Sequence, residues 1–277
     1  MPLPSPARDA SAPAPQYLYA VRSRRTGGLS LGVDLTTNHA CNYACVYCDV
    51  PDLVDRDGAE MDLAQFEAEL TEALAAVDDV TWRQRAEVSP DEKLASLCLS
   101  GRGEPTVQFD LPKVTEILAR EAKGRADRYA ILTNGVEIAS KRSRAALGHW
   151  NELGGEIWFK VDTATRDGQR AIHSSEMMLR TLRNSLRAAC ETSPTWIQST
   201  LFTLDGEPMS ETERKAYLAF LGDQKRAGLA IRGVQLVSAN RPSARSEASR
   251  IGPVSEAFAR ELAGEIEALG LPVEFYV

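Results

Sequence analysis

From Tyr17 to the end of the chain, short apolar runs with strand character alternate with longer segments whose apolar positions recur every three to four residues. The short runs predict strands at 29–36, 94–100, 129–133, 156–162, 195–203 and 231–237, with a closing edge strand at 272–277. The longer segments predict helices at 62–77, 111–122, 138–153, 176–190, 210–227 and 254–269. Asn134-Gly135 marks the turn that stops the third strand. Strands that alternate with helices read as repeated βα units. Six such units predict an α/β fold, a partial (β/α)6 TIM-like barrel of parallel strands with an outer ring of helices. In that fold, and equally in an open doubly wound sheet, ligands gather where strands end at their carboxyl termini. The loops after the strands are therefore where chemistry is sought, and the polar, Ser-rich stretch 241–251 reads as a long mobile loop there.

The 277 residues are 43% apolar and 26% charged, enough to bury a large core in a single domain spanning 17–277. No apolar run approaches the roughly 20 residues of a membrane helix, so no membrane association is expected. The opening MPLPSPARDASAPAPQ lacks a signal-peptide apolar stretch and is dominated by Pro and Ala. It reads as a flexible tail over residues 1–16 on a cytoplasmic protein. A net charge of −7 speaks against broad affinity for nucleic acid.

Three of the five cysteines, Cys41, Cys45 and Cys48, fall within eight residues directly after the first strand, in the run CNYACVYC. With an odd cysteine count and no export signal, this grouping points to metal rather than to disulfides. Three thiolates on one short loop can hold three corners of a [4Fe-4S] cube and leave the fourth iron open to a ligand. The alternatives are a zinc site completed by His39, or three unrelated surface thiols.

CNYACVYC resembles the CxxxCxΦC loop of the radical S-adenosylmethionine (SAM) superfamily. The resemblance implies a [4Fe-4S] cluster on Cys41, Cys45 and Cys48, with SAM chelating the open iron through its amino and carboxylate groups. Reductive cleavage of SAM would then give a 5'-deoxyadenosyl radical that takes hydrogen from a substrate, the electron coming from a donor such as flavodoxin or ferredoxin. It also implies that Tyr47 lies near the adenine. SGRGEPT at 100–106 resembles the superfamily's GGEP motif and implies that Gly101, Gly103 and Glu104 contact the SAM amino group, with Arg102 where one glycine of the usual pair stands. Thr133-Asn134-Gly135 resembles the TNG that ends the third strand in many members and implies that Thr133 and Asn134 lie near the SAM carboxylate.

Period-two alternation places Trp158, Lys160 and Asp162 on one face of the fourth strand and Ile157, Phe159 and Val161 on the other. Lys160 could pair with the SAM carboxylate and Asp162 with a ribose hydroxyl or substrate; the alternative is a structural ion pair between the two. In the fifth strand, Gln198 and Thr200 share a face, opposite Ser199, as candidates for ribose or substrate contact. Gln235 and the Ser238-Ala239-Asn240 end of the sixth strand are weaker candidates. Tyr19 to Arg25, GEPT and Lys160-Val-Asp162 together are similar to the wyosine-synthase-like branch. Cys98 and Cys190, a face residue and a helix end, do not make the second cluster motif that wyosine-forming enzymes carry. A small or nucleotide-like substrate is expected, and Arg22, Arg24, Arg25, Arg241 and Arg245 would suit an anionic one. A tRNA-modifying enzyme and a non-catalytic iron-sulfur and SAM-binding regulator are the alternatives.

Overall fold

The computed structural model describes residues 3–6, 14–175 and 177–276. Its described residues form two compact units, one built from Met1–Ala40, Arg56–Leu132 and Ser140–Glu156, the other from Cys41–Asp55, Thr133–Ala139 and Ile157–Val277. The first carries β1 (Leu18–Ser23), β2 (Gly28–Val33), α1 (Leu63–Ala76), α2 (Val80–Arg85), β3 (Leu94–Leu99), α3 (Leu111–Glu121), β4 (Arg128–Thr133) and α4 (Lys141–Glu152). The second carries β5 (Glu156–Lys160), α5 (Arg166–His173), α6 (Leu179–Thr192), β6 (Thr195–Leu201), β7 (Thr203–Leu204), α7 (Glu211–Arg226), β8 (Ile231–Ser238), β9 (Ile251–Gly252), α8 (Glu256–Ala268) and β10 (Val273–Tyr276).

Six strands, β2, β3, β4, β5, β6 and β8, are each followed by helix, three in each unit, which is the βα succession of a partial (β/α)6 barrel. In the first unit β2, β3 and β4 are parallel neighbours, and β1 adds antiparallel to β2 through a turn at Gly27, whose φ of 71° suits glycine. In the second, β5, β6, β8 and β10 run parallel in that order, and β7 and β9 form a separate short antiparallel pair. β10 is the expected closing strand. The core is apolar from both sides of the strands: Leu29, Leu31 and Val33 in β2, Leu97 and Leu99 in β3, and Ile157, Phe159, Ile197, Val234 and Leu236 in the second unit are fully buried.

Helix starts follow capping chemistry. The side chains of Asp62, Asp79, Ser140, Thr165, Ser210 and Ser255 each accept a hydrogen bond from the backbone N–H three residues on, opening α1, α2, α4, α5, α7 and α8. The Ser140 cap explains why α4 begins three residues later than its periodicity predicts. The predicted helix at 176–190 starts instead at Leu179, and the separate α5 ahead of it, like β1 and α2, is too short for the periodicity to resolve. Among the described residues no helix is long and apolar enough to cross a membrane.

Two segments expected to be loose are held. Leu3 N–H donates to the Ala20 carbonyl (2.9 Å), the Ser5 carbonyl accepts from Nε1 of buried Trp82 (2.7 Å), and Pro6 is buried. The expected tail is thus anchored at its start, while residues 1, 2 and 7–13 lie outside the described residues. The 241–251 loop is pinned to the cysteine loop: Ala244 N–H donates to Cys48 O (2.8 Å), Ser243 Oγ to Val46 O (2.6 Å), and Arg241 pairs with Asp49 (2.8 Å). Ser243 and Arg241 are therefore committed to the cysteine loop, and further along Arg250 pairs with Asp205 (2.6 Å).

Candidate active site

In the second unit the cysteine loop is held by backbone bonds to the end of α5. Ala44 N–H donates to His173 O and Val46 N–H to Ile172 O, both at 2.9 Å, while Cys41 N–H donates to Val54 O and Cys48 N–H to Cys45 O. None of the three forms a disulfide among the described residues; Cys45 is buried and Cys41 and Cys48 half-buried. Burial pushes the Cys45 thiol up to about 12 and raises Cys48 as well, with Lys160 drawing both back. Among the described residues no three His, Cys, Asp or Glu side chains are gathered as a single-ion site. Three thiols on an eight-residue loop fit the donor set of a cluster held at three corners.

Beside this loop, β5 and β6 present a polar group whose centre is Asp162, 1% exposed. Its Oδ2 accepts from the Tyr47 hydroxyl, lies 2.9 Å from His173 Nε2 and 3.5 Å from Lys160 Nζ, and its Oδ1 accepts from Thr200 N–H at 2.6 Å. Burial alone would push this carboxyl up, but the Lys160 ammonium and the bonds from His173 and Tyr47 hold it well below the usual carboxylate range. Burial, then the Asp162 charge, raises the Tyr47 phenol well above its ordinary value. Lys160 Nζ also donates to Thr200 Oγ1 (3.0 Å) and lies 5.0 Å from the Tyr47 ring centre. The ammonium is thus held between Thr200 Oγ1, the Asp162 carboxylate and the Tyr47 ring.

The strand parity read from alternation holds: Lys160, Asp162 and Thr200 meet on one face, and Ser199 turns the other way to bond Val161 O and the Tyr217 hydroxyl, both at 2.6 Å. Gln198 is 1% exposed and its Nε2 is unbonded; Gln235 Oε1, in register with it on β8, is buried and unbonded too, as is Ser238 Oγ at the end of β8 beside Leu201. The orphaned pair on neighbouring strands, Gln198 Nε2 and Gln235 Oε1, fits a polar molecule such as SAM.

At the end of β4, Thr133 Oγ1 accepts from Gly135 N–H (3.0 Å), and Asn134 donates through Nδ2 to Asn42 Oδ1 of the cysteine loop (2.7 Å). Gly135, at φ 77°, lies so close to the Phe159 ring that no Cβ fits.

The 100–106 motif lies in the first unit. A Cβ on Gly103 would overlap the Ala40 carbonyl and Thr36 Oγ1, and one on Gly101 would press on the Asp34 carboxylate, so both glycines are required by packing. Glu104 is buried and Oε1 accepts from Thr106 N–H (3.0 Å) and Oγ1 (2.5 Å). Arg102 has a structural reason: its Nε bonds the buried Asp34 carboxylate, which also accepts from Thr36 N–H. Arg22, an anion candidate, is spent on Glu92 (2.9 Å) and Glu87 O (2.8 Å).

His173, Gln169 and Tyr43 were missed by the sequence reading. His173 is buried, stacks on Tyr43 with ring centres 4.6 Å apart, and places Nδ1 3.0 Å from Gln169 Oε1. The signal available was the spacing of Gln169 and His173 on one face of a helix opened by Thr165.

Residues 35–216 match the family model described as the radical SAM superfamily. The chain belongs to the radical SAM superfamily. It is an enzyme of that class, and membership implies a [4Fe-4S] cluster and SAM. Solved structures similar in fold include TYW1 with a lysine-pyruvate adduct bound (14% identity, TM-score 0.55, 88% of this chain and 74% of that one). A radical SAM methyltransferase from Sphaerobacter thermophilus is similar at 16% identity and TM-score 0.55, over 89% of this chain and 65% of that one. HydG, a maturase of the [FeFe]-hydrogenase, is similar at 13% identity and TM-score 0.55, over 89% and 50%. At such identities these similarities establish the fold alone, which is that of the superfamily's TIM-like barrels. A curated protein named GTPase Obg, from Brachyspira hyodysenteriae, is 28% identical over 128 residues, 46% of this chain but only 16% of that protein. This chain has no GxxxxGK[ST] phosphate loop to which that name could extend.

Proposed function

We propose that this radical SAM enzyme holds a [4Fe-4S] cluster on Cys41, Cys45 and Cys48, binds SAM against the second unit's strand ends, and abstracts hydrogen from a small or nucleotide-like substrate. The observation that carries this reading is the buried Asp162 group lying with Tyr47, between Cys45 and Cys48, at the ends of β5 and β6. When bound, cluster and SAM supply a 5'-deoxyadenosyl radical on one-electron reduction. The protein's own part is to bind and orient. Lys160 offers its ammonium to the SAM carboxylate, and Gln198 Nε2 and Gln235 Oε1 offer unbonded polar atoms to SAM or substrate. Asp162 acts mainly as a positioning residue, since its oxygens are already engaged by Lys160, Tyr47, His173 and Thr200. In the first unit, Gly101, Gly103 and Glu104 are the residues that the resemblance to GGEP assigns to the SAM amino group; in the second, Thr133 and Asn134 are those that the resemblance to TNG assigns to its carboxylate. Flavodoxin or ferredoxin supplies the electron.

The test is anaerobic. The protein is reconstituted with iron and sulfide, given SAM and dithionite, and 5'-deoxyadenosine is quantified by mass spectrometry for wild type and Cys45→Ala. Formation that requires Cys45 is expected; formation that survives Cys45→Ala overturns the assignment of the cluster.

A further inference from the structure

A cavity of about 460 Å³ opens within the second unit, a size that suits a small organic molecule. It is walled by the end of β5 with α5, by the end of β6 with β7, by the turn into α7, and by Phe258 of α8. Ile172, Leu201, Phe202, Met209 and Phe258 make most of its surface apolar. Asp162 and Thr200 also line it, so it adjoins the polar group assigned above to SAM binding.

Every charged side chain on its wall is an acid: Asp162, Asp167, Glu207 and Glu213, with no Lys or Arg among the lining residues. Two of these are committed. Asp162 is engaged as described, and Glu213 accepts from Thr163 Oγ1 (2.7 Å), Ala164 N–H (2.7 Å) and Thr165 Oγ1 (2.5 Å), tying its charge to the start of α5. The other two are available. Asp167 is 98% exposed and makes only a long ion pair with Arg170 (4.0 Å), and the exposed Glu207 has no ion-pair partner among the described residues. Against the pull of the α5 and α7 N-terminal ends on an anion, every formal charge on the wall is negative, so a phosphate or carboxylate would meet like charge at Asp167 and Glu207 and an ammonium would meet attraction beside an apolar wall.

We propose that this cavity is the substrate chamber and that its substrate is a small molecule with an apolar body and a cationic amine. This rests on the radical SAM reading above and narrows it away from a phosphorylated nucleotide. The apolar body fills the space lined by Phe202, Met209 and Phe258, and Asp167 and Glu207 receive the amine. The C–H groups nearest Asp162 and Thr200 are then those presented to the SAM side.

Three probes that share one apolar body test it: phenethylamine, phenethyl alcohol and hydrocinnamate. Their affinities for reconstituted protein with SAM and no reductant are read by saturation-transfer NMR titration under argon. The amine should bind about tenfold tighter than hydrocinnamate, with the alcohol between, the difference expected from gaining one rim charge contact and losing a repulsion. Ala171→Phe, at an exposed lining position, should abolish binding of all three. Glu207→Gln should weaken the amine roughly threefold to fivefold and leave the alcohol unchanged. Should Ala171→Phe fail to fold by circular dichroism, Met209→Trp blocks the same space. Hydrocinnamate binding as tightly as the amine, no binding by any probe, or binding untouched by the blocking variant each overturns the proposal. The 5'-deoxyadenosine assay separates the two claims. Cysteine-dependent cleavage without amine preference removes only the chamber, and amine binding without cleavage removes the radical reading.

Discussion

The two units are each built from three βα units, yet they treat the polar side chains of their strands in opposite ways. In the first, these groups close on one another: Ser30 and Ser96 hydroxyls bond at 2.6 Å, Thr26 adds a bond to Ser96 at 3.1 Å, and the Tyr19 hydroxyl donates to Ser100 O at 2.9 Å. In the second, Gln198, Gln235 and Ser238 each bury an atom with no partner, beside the dense group around Asp162. A satisfied buried group contributes to holding the chain, whereas an orphaned one costs stability until a ligand arrives. Off its strands the first unit also buries unbonded atoms, on Asn38 and Arg142, so the contrast is one of strands: those of the first unit act mainly as scaffold, and those of the second keep unbonded atoms beside satisfied ones such as Ser199.

The largest expected effect lies at the centre of the second unit's polar group. Asp162→Ala leaves Lys160 and His173 buried beside no carboxylate, and should lower unfolding free energy by about 3 kcal/mol or more in urea titrations and weaken SAM binding. A stability loss under about 1 kcal/mol would show that the group is not the anchor its geometry indicates. In the first unit, Gly103→Ala drives a methyl into the Ala40 carbonyl and should cost about 1–3 kcal/mol, read as a lower Tm. Deleting residues 1–6 strips Trp82 Nε1 of the Ser5 carbonyl and should lower Tm by about 2–4 °C. An unchanged Tm would return that segment to the free tail its composition predicts.

The smallest pair of effects separates the units most sharply. Ser96→Ala should destabilise by about 1 kcal/mol and leave SAM affinity alone. Gln198→Leu should be neutral to slightly stabilising without SAM, because it removes an orphan, and should weaken SAM binding several-fold in calorimetry. If both variants behave alike, the contrast between the two sets of strands fails.

Much of the fold was legible because its signals are local. Periodicity located all six βα units, with boundaries differing by a few residues where a cap such as Ser140 decides the first turn. The two-residue period of β5 and β6 put Lys160, Asp162, Gln198 and Thr200 in their faces correctly. The missed parts are those that local pattern does not encode. β1 is recognised by pairing with β2, α5 is only 8 residues long, and the 3–6 segment is held by Trp82, 77 residues from Ser5. The arginine in GRGEP makes sense only beside Asp34, 68 residues away.

What this sequence determined by itself is the order of its elements, the three-thiol loop and the faces its strand residues occupy, since each depends on spacing along one short segment. Only the tertiary structure decided which groups become partners: Tyr47 and Asp162 are 115 residues apart, and His173 reaches the same carboxylate from a different helix. It also decided which buried atoms stay unbonded and which acids border an apolar cavity. Those properties arise where separate segments converge, because desolvation and hydrogen bonding are set by what surrounds a group in space and not by its neighbours in the chain.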